Sequence, residues 1–390
     1  MNHLLLFSES RHSPLATRHL LLCVLCFLCA LCVNSFSPAR AQDLDKPLHN
    51  IDEDITSFSF SSSGRIAYSV RHNIRTKLFD VQHDDIWIQD SNGKRRRLIQ
   101  GDKFTRGTGP FSYAVEGFRW SPDGRMLLVL LDTMSVVDDS GKPEESFMTL
   151  VLEDNGKEIK VGGLDSVITD CAKAIWLPDN STILCSTEAV QPHILYSFKF
   201  TNLKSGPAGA AFEGRTFLGV DSITGTNAAI AIEQDRAQSG PPRLQHLDLL
   251  AQGDKELATL DGYAGGLSVS PSGKKVAYFI DREVLEVRDL AATEHFARLR
   301  VGLGTFQWVP GENRILLKRA PERKSADVVW IPIPPLAAQQ PGKDVPVLQP
   351  TPQPIMHDVT FRDFAISPGG RFLGVVLPGK RNLLVFPLPS

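Results

Sequence analysis

Phe118-Arg-Trp-Ser-Pro-Asp-Gly-Arg-Met-Leu-Leu-Val-Leu130 reads as a single β-hairpin. Phe118 and Trp120 alternate as the end of one strand, Ser121 to Gly124 supply the turn, and Met126 to Leu130 form an apolar return strand. Each turn residue has a physical reason. Pro presets φ, Ser and Asp hydrogen-bond their own backbone, and Gly tolerates a positive φ.

The pattern recurs at Phe58 to Val70 (FSFSSSGRIAYSV), Ala174 to Ser186 (AIWLPDNSTILCS), Asp221 to Glu233 (DSITGTNAAIAIE), Leu267 to Phe279 (LSVSPSGKKVAYF), Phe306 to Arg319 (FQWVPGENRILLKR) and Phe364 to Val376 (FAISPGGRFLGVV), giving seven copies. The fourth is the most divergent, with Thr224, Gly225 and Thr226 replacing the Pro/Asp pattern. With Gly64, Gly124, Asn180, Asn227, Gly273, Asn313 and Gly370 as turn positions, the spacings are 60, 56, 47, 46, 40 and 57 residues. Four-stranded propeller blades recur about every 40 to 50 residues, so the excess is loop insertion.

Further strand pairs lie between these hairpins. Asp85 to Leu98 and Phe147 to Val161 are joined at Asn92-Gly93 and Asn155-Gly156, which read as type I′ turns. An inner and an outer hairpin make one blade with strands A to D, and no sustained 3.6-residue apolar period argues for a long helix. The expected fold class is all-β: a seven-bladed β-propeller of four-stranded antiparallel blades. After strands A (Asp363 to Ser367) and B (Arg371 to Leu377) of the seventh blade, Asn382 to Leu388 suffices for strand C alone. The fourth strand is expected from Leu44 to Ile51, so that the N-terminal strand pairs with the last blade, closes the ring and removes an exposed edge.

Residues 1–41 read as a secretory signal peptide. Arg11 and Arg18 precede an apolar run from Leu20 to Val33, and Ala39-Arg40-Ala41 gives a small-x-small cleavage pattern. Leu precedes each of Cys23, Cys26, Cys29 and Cys32, which does not suit a lipoprotein signal. Residues 42–390 are expected to form a single propeller domain, soluble, periplasmic or secreted, with no membrane span after cleavage. That segment keeps only Cys171 and Cys185. Export would allow a disulfide, but pairing around the Pro178 to Ser181 turn leaves the two positions two or three residues out of register. Two buried thiols are the favoured reading, and a bridge across a bulged register is the alternative.

The 42 basic and 44 acidic residues leave a formal net charge of −2, so neither nucleic acid nor an anionic membrane is an implied partner. The one basic run, Lys94 to Arg97, falls on an outer strand and reads as a solvated edge.

Phe118 to Arg125, Leu267 to Lys274 and Phe364 to Arg371 resemble the "SPDG" repeats of bacterial WD40-like propellers. That group includes the propeller of TolB and the N-terminal propellers of prolyl-oligopeptidase-type enzymes, whose opening blade Arg65 to Leu98 is similar to. The resemblance implies a fold. It implies no ligand, because no G-x-S-x-G nucleophile elbow occurs, no hydrolase domain is expected after the last blade, and no TolB-type α/β domain is expected before the first.

Candidate site residues are few. Ser121, Ser270 and Ser367 read as turn formers, and Trp120, Trp176 and Trp308 as packing between blades. His72, His83, Asp84 and Asp85 flank one loop of blade 1, and His357 and Asp358 lie in the loop leading to blade 7, which would adjoin it. A His/Asp metal site there competes with ordinary solvated loop histidines. Asp54, Glu116, Asp170 and Asp363 each precede an inner strand, where a ring of carboxylates at the channel mouth could hold a cation or a basic peptide end. The ordinary reading is exposed loop acids.

The long insertions, Arg71 to Asp84, Gly101 to Val115, Asp132 to Ser146, Gln234 to Pro242, Pro321 to Asp327 and Thr351 to Phe361, are B–C or D–A connections. Strand alternation puts all of them on one face, where variable loops on a rigid scaffold carry binding. The expected function is an exported, monomeric, non-catalytic scaffold that needs no cofactor and binds an envelope or secreted protein or peptide through that face. His72, His83, His357, Arg362 and Asp363 are its expected centre. The competing expectation is a lactonase-like hydrolase or lyase, with or without a metal, with its site in the channel mouth.

Overall fold

The computed structural model describes residue 44 and residues 46–75, 80–101, 112–136, 143–163, 167–169, 171, 173–190, 195–237, 239–262, 264–281, 283–319, 328–339, 344–356, 363–377, 379 and 381–388. The expected signal peptide lies outside them. Leu44–Ser390 form one compact unit.

The first strand among the described residues is β1 (His49–Ile51), an outer strand of the last blade. Blade 1 is β2 (Ile55–Phe60), β3 (Ile66–Arg75), β4 (Asp80–Gln89) and β5 (Arg95–Ile99). Blade 2 is β6 (Ser112–Trp120), β7 (Met126–Val136), β8 (Pro143–Glu153) and β9 (Val167–Thr169). Blade 3 is β10 (Lys173–Trp176), β11 (Thr182–Val190), β12 (Leu195–Asn202) and β13 (Gly206–Ala211). Blade 4 is β14 (Phe217–Ser222), β15 (Ala228–Glu233), β16 (Arg243–Asp248) and β17 (Gly253–Thr259). Blade 5 is β18 (Ala264–Val269), β19 (Lys275–Ile280), β20 (Val284–Asp289) and β21 (His295–Arg300). Blade 6 starts with β22 (Gly304–Trp308), β23 (Arg314–Arg319) and β24 (Val328–Pro332). The chain then adds β25 (Ala337–Ala338) and β26 (Val347–Leu348) to the outer edge of blade 5 before returning as β27 (Gln353–Met356), the outer strand of blade 6. Blade 7 is β28 (Asp363–Ile366), β29 (Phe372–Val376), β30 (Leu383–Pro387) and β1. No helix occurs among the described residues.

Ring closure follows the expected route. β1 runs antiparallel to β30 with His49 opposite Val385 and Ile51 opposite Leu383, and Ile51 is fully buried.

The repeated Ser explains the repeated turn. Ser61, Ser121, Ser270 and Ser367 are all buried, and each hydroxyl accepts the N–H that starts the return strand, from Arg65 (2.9 Å), Met126 (2.9 Å), Lys275 (3.0 Å) and Phe372 (3.0 Å). The hydroxyl therefore replaces a ladder bond that the turn would otherwise leave open.

Two turn expectations are corrected. In the fourth and sixth copies the left-handed positions belong to Gly225 (φ 75°), and to Gly311 (φ 96°) and Glu312 (φ 54°), not to Asn227 and Asn313. At Asn92-Gly93 and Asn155-Gly156 only the glycines take positive φ, so these are not type I′ turns. Each Asn instead accepts an N–H two residues on, from Lys94 (3.0 Å) and Lys157 (2.8 Å), and Gly follows in the left-handed region, as in a type I turn closed by a bulge. The outer strand of blade 2 also lies later than the Asn155-Gly156 hairpin suggests. Glu158 makes one isolated bridge to Leu152, and β9 completes the pairing with β8.

The apolar core is divided among the blade interfaces, as face-to-face sheet packing requires. Phe118 and Leu150 of blade 2 pack with Ala67 and Ile86 of blade 1, and equivalent clusters fill the remaining junctions round to blades 7 and 1, where Val376 and Val385 meet Phe58 and Tyr68. The recurrent strand-A tryptophans do more than pack. The indole N–H of Trp120 donates to Ser59 O (3.3 Å), that of Trp176 to Arg119 O (3.1 Å) and that of Trp308 to Ser268 O (3.2 Å), each in the preceding blade. Gln307 ties blades 6 and 7 in the same manner, donating to Phe364 O (3.0 Å) and accepting from Ile366 N (2.8 Å).

Cys171 and Cys185 are bonded to each other, which overturns the favoured expectation of two thiols. The register is as expected, since Cys185 faces Ala174. Cys171, however, precedes β10, and the chain there brings its Cα to 5.5 Å from that of Cys185.

Candidate functional site

The expected long loops of blades 1 and 2 are largely strand. Arg71 to Asp84 pairs along the B–C hairpin with Arg71 opposite Asp84, His72 opposite His83 and Arg75 opposite Asp80. Asp132 to Ser146 does the same, ending with Val136 opposite Pro143. Thr351 to Phe361 also contains β27, so it is not a single D–A loop. The long connection in blade 6 runs from strand C to strand D and opens on the other face.

Within the blade 1 hairpin Asp84 is 0% exposed and accepts four hydrogen bonds. They come from Arg71 Nε (3.0 Å) and Nη2 (3.1 Å), Thr56 Oγ1 (3.0 Å) and the Val115 N–H (2.8 Å) of blade 2. Burial works against the charge on Arg71, but the bonds and charge of Asp84 outweigh it and raise its pKa. Asp85 accepts Gly101 N–H (2.7 Å) and Arg97 Nη1 (3.0 Å), with His72 Nε2 at 3.4 Å. Arg97 is therefore a paired cation as well as an edge residue. His83 is buried with its ring 5.3 Å from Tyr113 of blade 2. His83 thus belongs to the junction of blades 1 and 2, and the exposed His72 lies beside Asp85 of its own blade.

The remaining expected acids are dispersed. Asp54 pairs with Arg381 at 3.1 Å, joining blade 1 to blade 7. Glu116 is exposed, and its charge acts on Arg71 and Asp132. Burial, then the charges of Glu145 and Glu116, push the Asp132 carboxyl up to about 6. Asp363 begins β28 and accepts its neighbour's N–H from Phe364 at 2.8 Å. Asp170, His357, Asp358 and Arg362 lie outside the described residues. Among the described residues no group of three or more His, Cys, Asp or Glu is arranged to hold a metal ion.

A second site, which the sequence reading missed, lies at the other end of the strands. Where strands A of blades 2, 3 and 4 run into their turns, a cavity of about 250 Å³ opens between Arg119, Trp120, Pro122, Trp176, Pro178, Asp221 and the Ile223 to Thr226 turn. Strand A is the innermost strand of a propeller blade, so this cavity belongs to the channel. The charges agree: Arg119 feels Asp221 of blade 4 and Asp363 of blade 7. Surrounding protein lowers the Arg119 pKa, and both acids oppose that effect. Desolvation raises Asp221 to about 6, opposed first by N–H donors from Val269 and Ser222, which reach it at 2.7 and 3.0 Å. Lys318 is lowered by burial and countered by Asp363. A sequence signal did exist, since Arg119 and Asp221 are charged residues within strands A, and one face of an innermost strand looks into the channel.

No known family matches the chain, and no curated protein matches it. Solved structures resemble it in shape. A chain in a crystal structure of the mitotic checkpoint complex aligns with TM-score 0.54 and 12% identity, over 100% of this chain and 99% of that one. The β-propeller domain of Cps50 (Swd1) from Myceliophteria thermophila gives TM-score 0.54 and 10% identity, over 88% and 99%. A prolyl endopeptidase gives TM-score 0.53 and 12% identity over 90% of this chain, which spans only 52% of that enzyme. At such identities the likeness is one of fold alone.

Proposed function

We propose that this chain is an exported, non-catalytic propeller that binds a protein or peptide partner on the face built from its B–C and D–A connections. The observation that carries this reading is the pair of B–C hairpins in blades 1 and 2. Their strands are 10 and 11 residues long where blades 4 to 7 use 5 or 6, an excess of about 15 Å at roughly 3.3 Å per residue. Blades 4 to 7 close on their neighbours without that length, and hairpins standing beside one another offer a rigid wall for a partner. Among the described residues the hairpins expose His72 on one and Glu145 on the other.

The Cys171–Cys185 bond supports export, because disulfides persist in oxidising compartments. The small-x-small motif at Ala39 to Ala41 supports cleavage before Gln42 and a periplasmic or secreted location. The SPDG-type turns support a kinship with the TolB and prolyl-oligopeptidase propellers, and the mitotic checkpoint assembly supports protein partnership by analogy of fold.

The test is to trim both hairpins, replacing residues 72–83 and 133–146 with short turns, and compare capture of crosslinked envelope proteins with that of Asn92→Ala and Asn155→Ala chains. Loss of a stoichiometric partner from the trimmed chain alone is expected. Retention by the folded trimmed chain would reject the reading.

A further inference from the structure

We propose that the channel cavity on the turn face binds the α-carboxylate end of a short peptide or small organic acid carrying an apolar side group, with Arg119 as the anion anchor. This site lies at the opposite ends of the strands from the hairpin wall and does not depend on the reading above. Its size sets the ligand. About 250 Å³ falls below the usual range for drug-sized molecules and suits one or two amino-acid residues.

The walls set the side group. Trp120, Trp176, Pro122, Pro178 and Ile223 present apolar surface, and both indole N–H groups are already spent on backbone carbonyls. Those bonds fix the rings, with Arg65 stacked over Trp120 at 5.1 Å, so the indoles add apolar lining and no free donor.

Arg119 sets the charge. Among the described residues its side chain makes one hydrogen bond, from Nη1 to Phe118 O at 2.9 Å, and no carboxylate stands within ion-pair distance. A guanidinium has five N–H donors in a planar fork, so the anchor retains the pair that a carboxylate takes up bidentately. Asp221, the acid in the lining, makes no ion pair with Arg119 and bonds elsewhere. Its Oδ1 accepts Ser222 N–H and its Oδ2 accepts Val269 N–H, with Ser268 Oγ at 3.4 Å. Asp221 and Asp363 together still oppose a second negative charge, which favours a monoanionic carboxylate over a phosphate dianion.

The experiment titrates the full exported chain by calorimetry with N-acetyl dipeptides ending in Leu, Ile, Phe or Pro, each as free acid and as carboxamide. At least one acid should bind about tenfold or more tightly than its amide, the span of a charge-assisted hydrogen bond. Arg119→Gln should erase that difference with little change in thermal midpoint. Thr224→Trp, on the exposed turn, should block binding without altering the anchor. Absence of binding by every acid at millimolar concentration, equal binding of acids and amides, or an acid preference surviving in Arg119→Gln would overturn the proposal. The best sequence is then fused to the C-terminus of a carrier protein. Capture of the carrier identifies a protein chain end as the ligand, and binding of the free acid alone identifies a small acid, both confirming the site.

Discussion

Blades 1 and 2 and blades 4 to 7 solve different problems with the same hairpin. In blades 4 to 7, strands B and C stop after 5 or 6 residues, and strands such as β19 and β20 are buried over most of their length. Five or six residues are enough to fill the space between two blades. In blades 1 and 2 the strands continue for four to six residues more, and there the cross-strand contacts turn polar. Arg71 and Asp84 form a bidentate pair, while Thr133 Oγ1 lies 2.9 Å from Ser146 O and 2.8 Å from its hydroxyl. Apolar stacking therefore builds the ring, and polar registration carries the hairpins beyond it.

The comparison can be broken most severely at the seam both arcs share. Deleting His49–Ile51 removes the outer strand of blade 7 and the fully buried Ile51. The expected cost is about 5 kcal/mol, a large part of the roughly 5 to 15 that holds a native fold, with one cooperative urea transition at lower midpoint. An unchanged midpoint would mean that the ring is held shut elsewhere.

Asp84→Ala strikes the polar registration itself. It leaves Arg71 partly buried and unpaired, and about 3 kcal/mol of stability should go, with only part of that restored in the Arg71→Ala, Asp84→Ala double variant because Thr56 and the Val115 N–H still lose their acceptor. Additive losses would show that the two residues do not act as a pair.

Cys171 and Cys185 pin the inner hairpin of blade 3, the blade between the two arcs. Their separation of 14 residues gives about 3 kcal/mol by loop closure, so reduction or Cys185→Ser should lower stability by about 2 to 3 kcal/mol. Equal unfolding curves with and without reductant would argue against the bond.

The smallest effect concerns pH. The Asp132 carboxyl sits at about 6 in the folded chain against 3.8 when unperturbed, because burial and then Glu145 and Glu116 disfavour its charge. Between those values the folded state binds more protons than the unfolded, so stability falls as pH rises and the penalty is complete above about pH 6. Asp132→Asn should be more stable than the parent by about 1 kcal/mol at pH 7, allowing for solvent screening, and no more stable near pH 4. A constant difference across that range would remove Asp132 from the account.

How much of this was legible in the chain follows from locality. The seven hairpins could be read because each rests on a few adjacent residues at its turn, in four of them a Ser hydroxyl bonding within five positions, although the left-handed position was misplaced at Asn227 and Asn313. The Asn-Gly turns were misassigned because type I′ and bulged type I turns share the same dipeptide and differ only in the φ of Asn92 and Asn155. Of the expected site residues, His83 packs against Tyr113 of blade 2, which nothing local to the blade 1 hairpin indicates, because no short motif says which neighbouring blade a hairpin leans against.

The sequence by itself determined an all-β repeat, its number of blades and its closing strand. Only the tertiary structure decided that Arg119, Asp221 and Asp363 share one channel, that Cys171 reaches Cys185 across a displaced register, and that supposed loops are paired strands. Hairpins are specified by neighbours in the chain. The channel is specified by the closing of the ring, which brings blades 2, 4 and 7 together across distances in sequence that no short motif records.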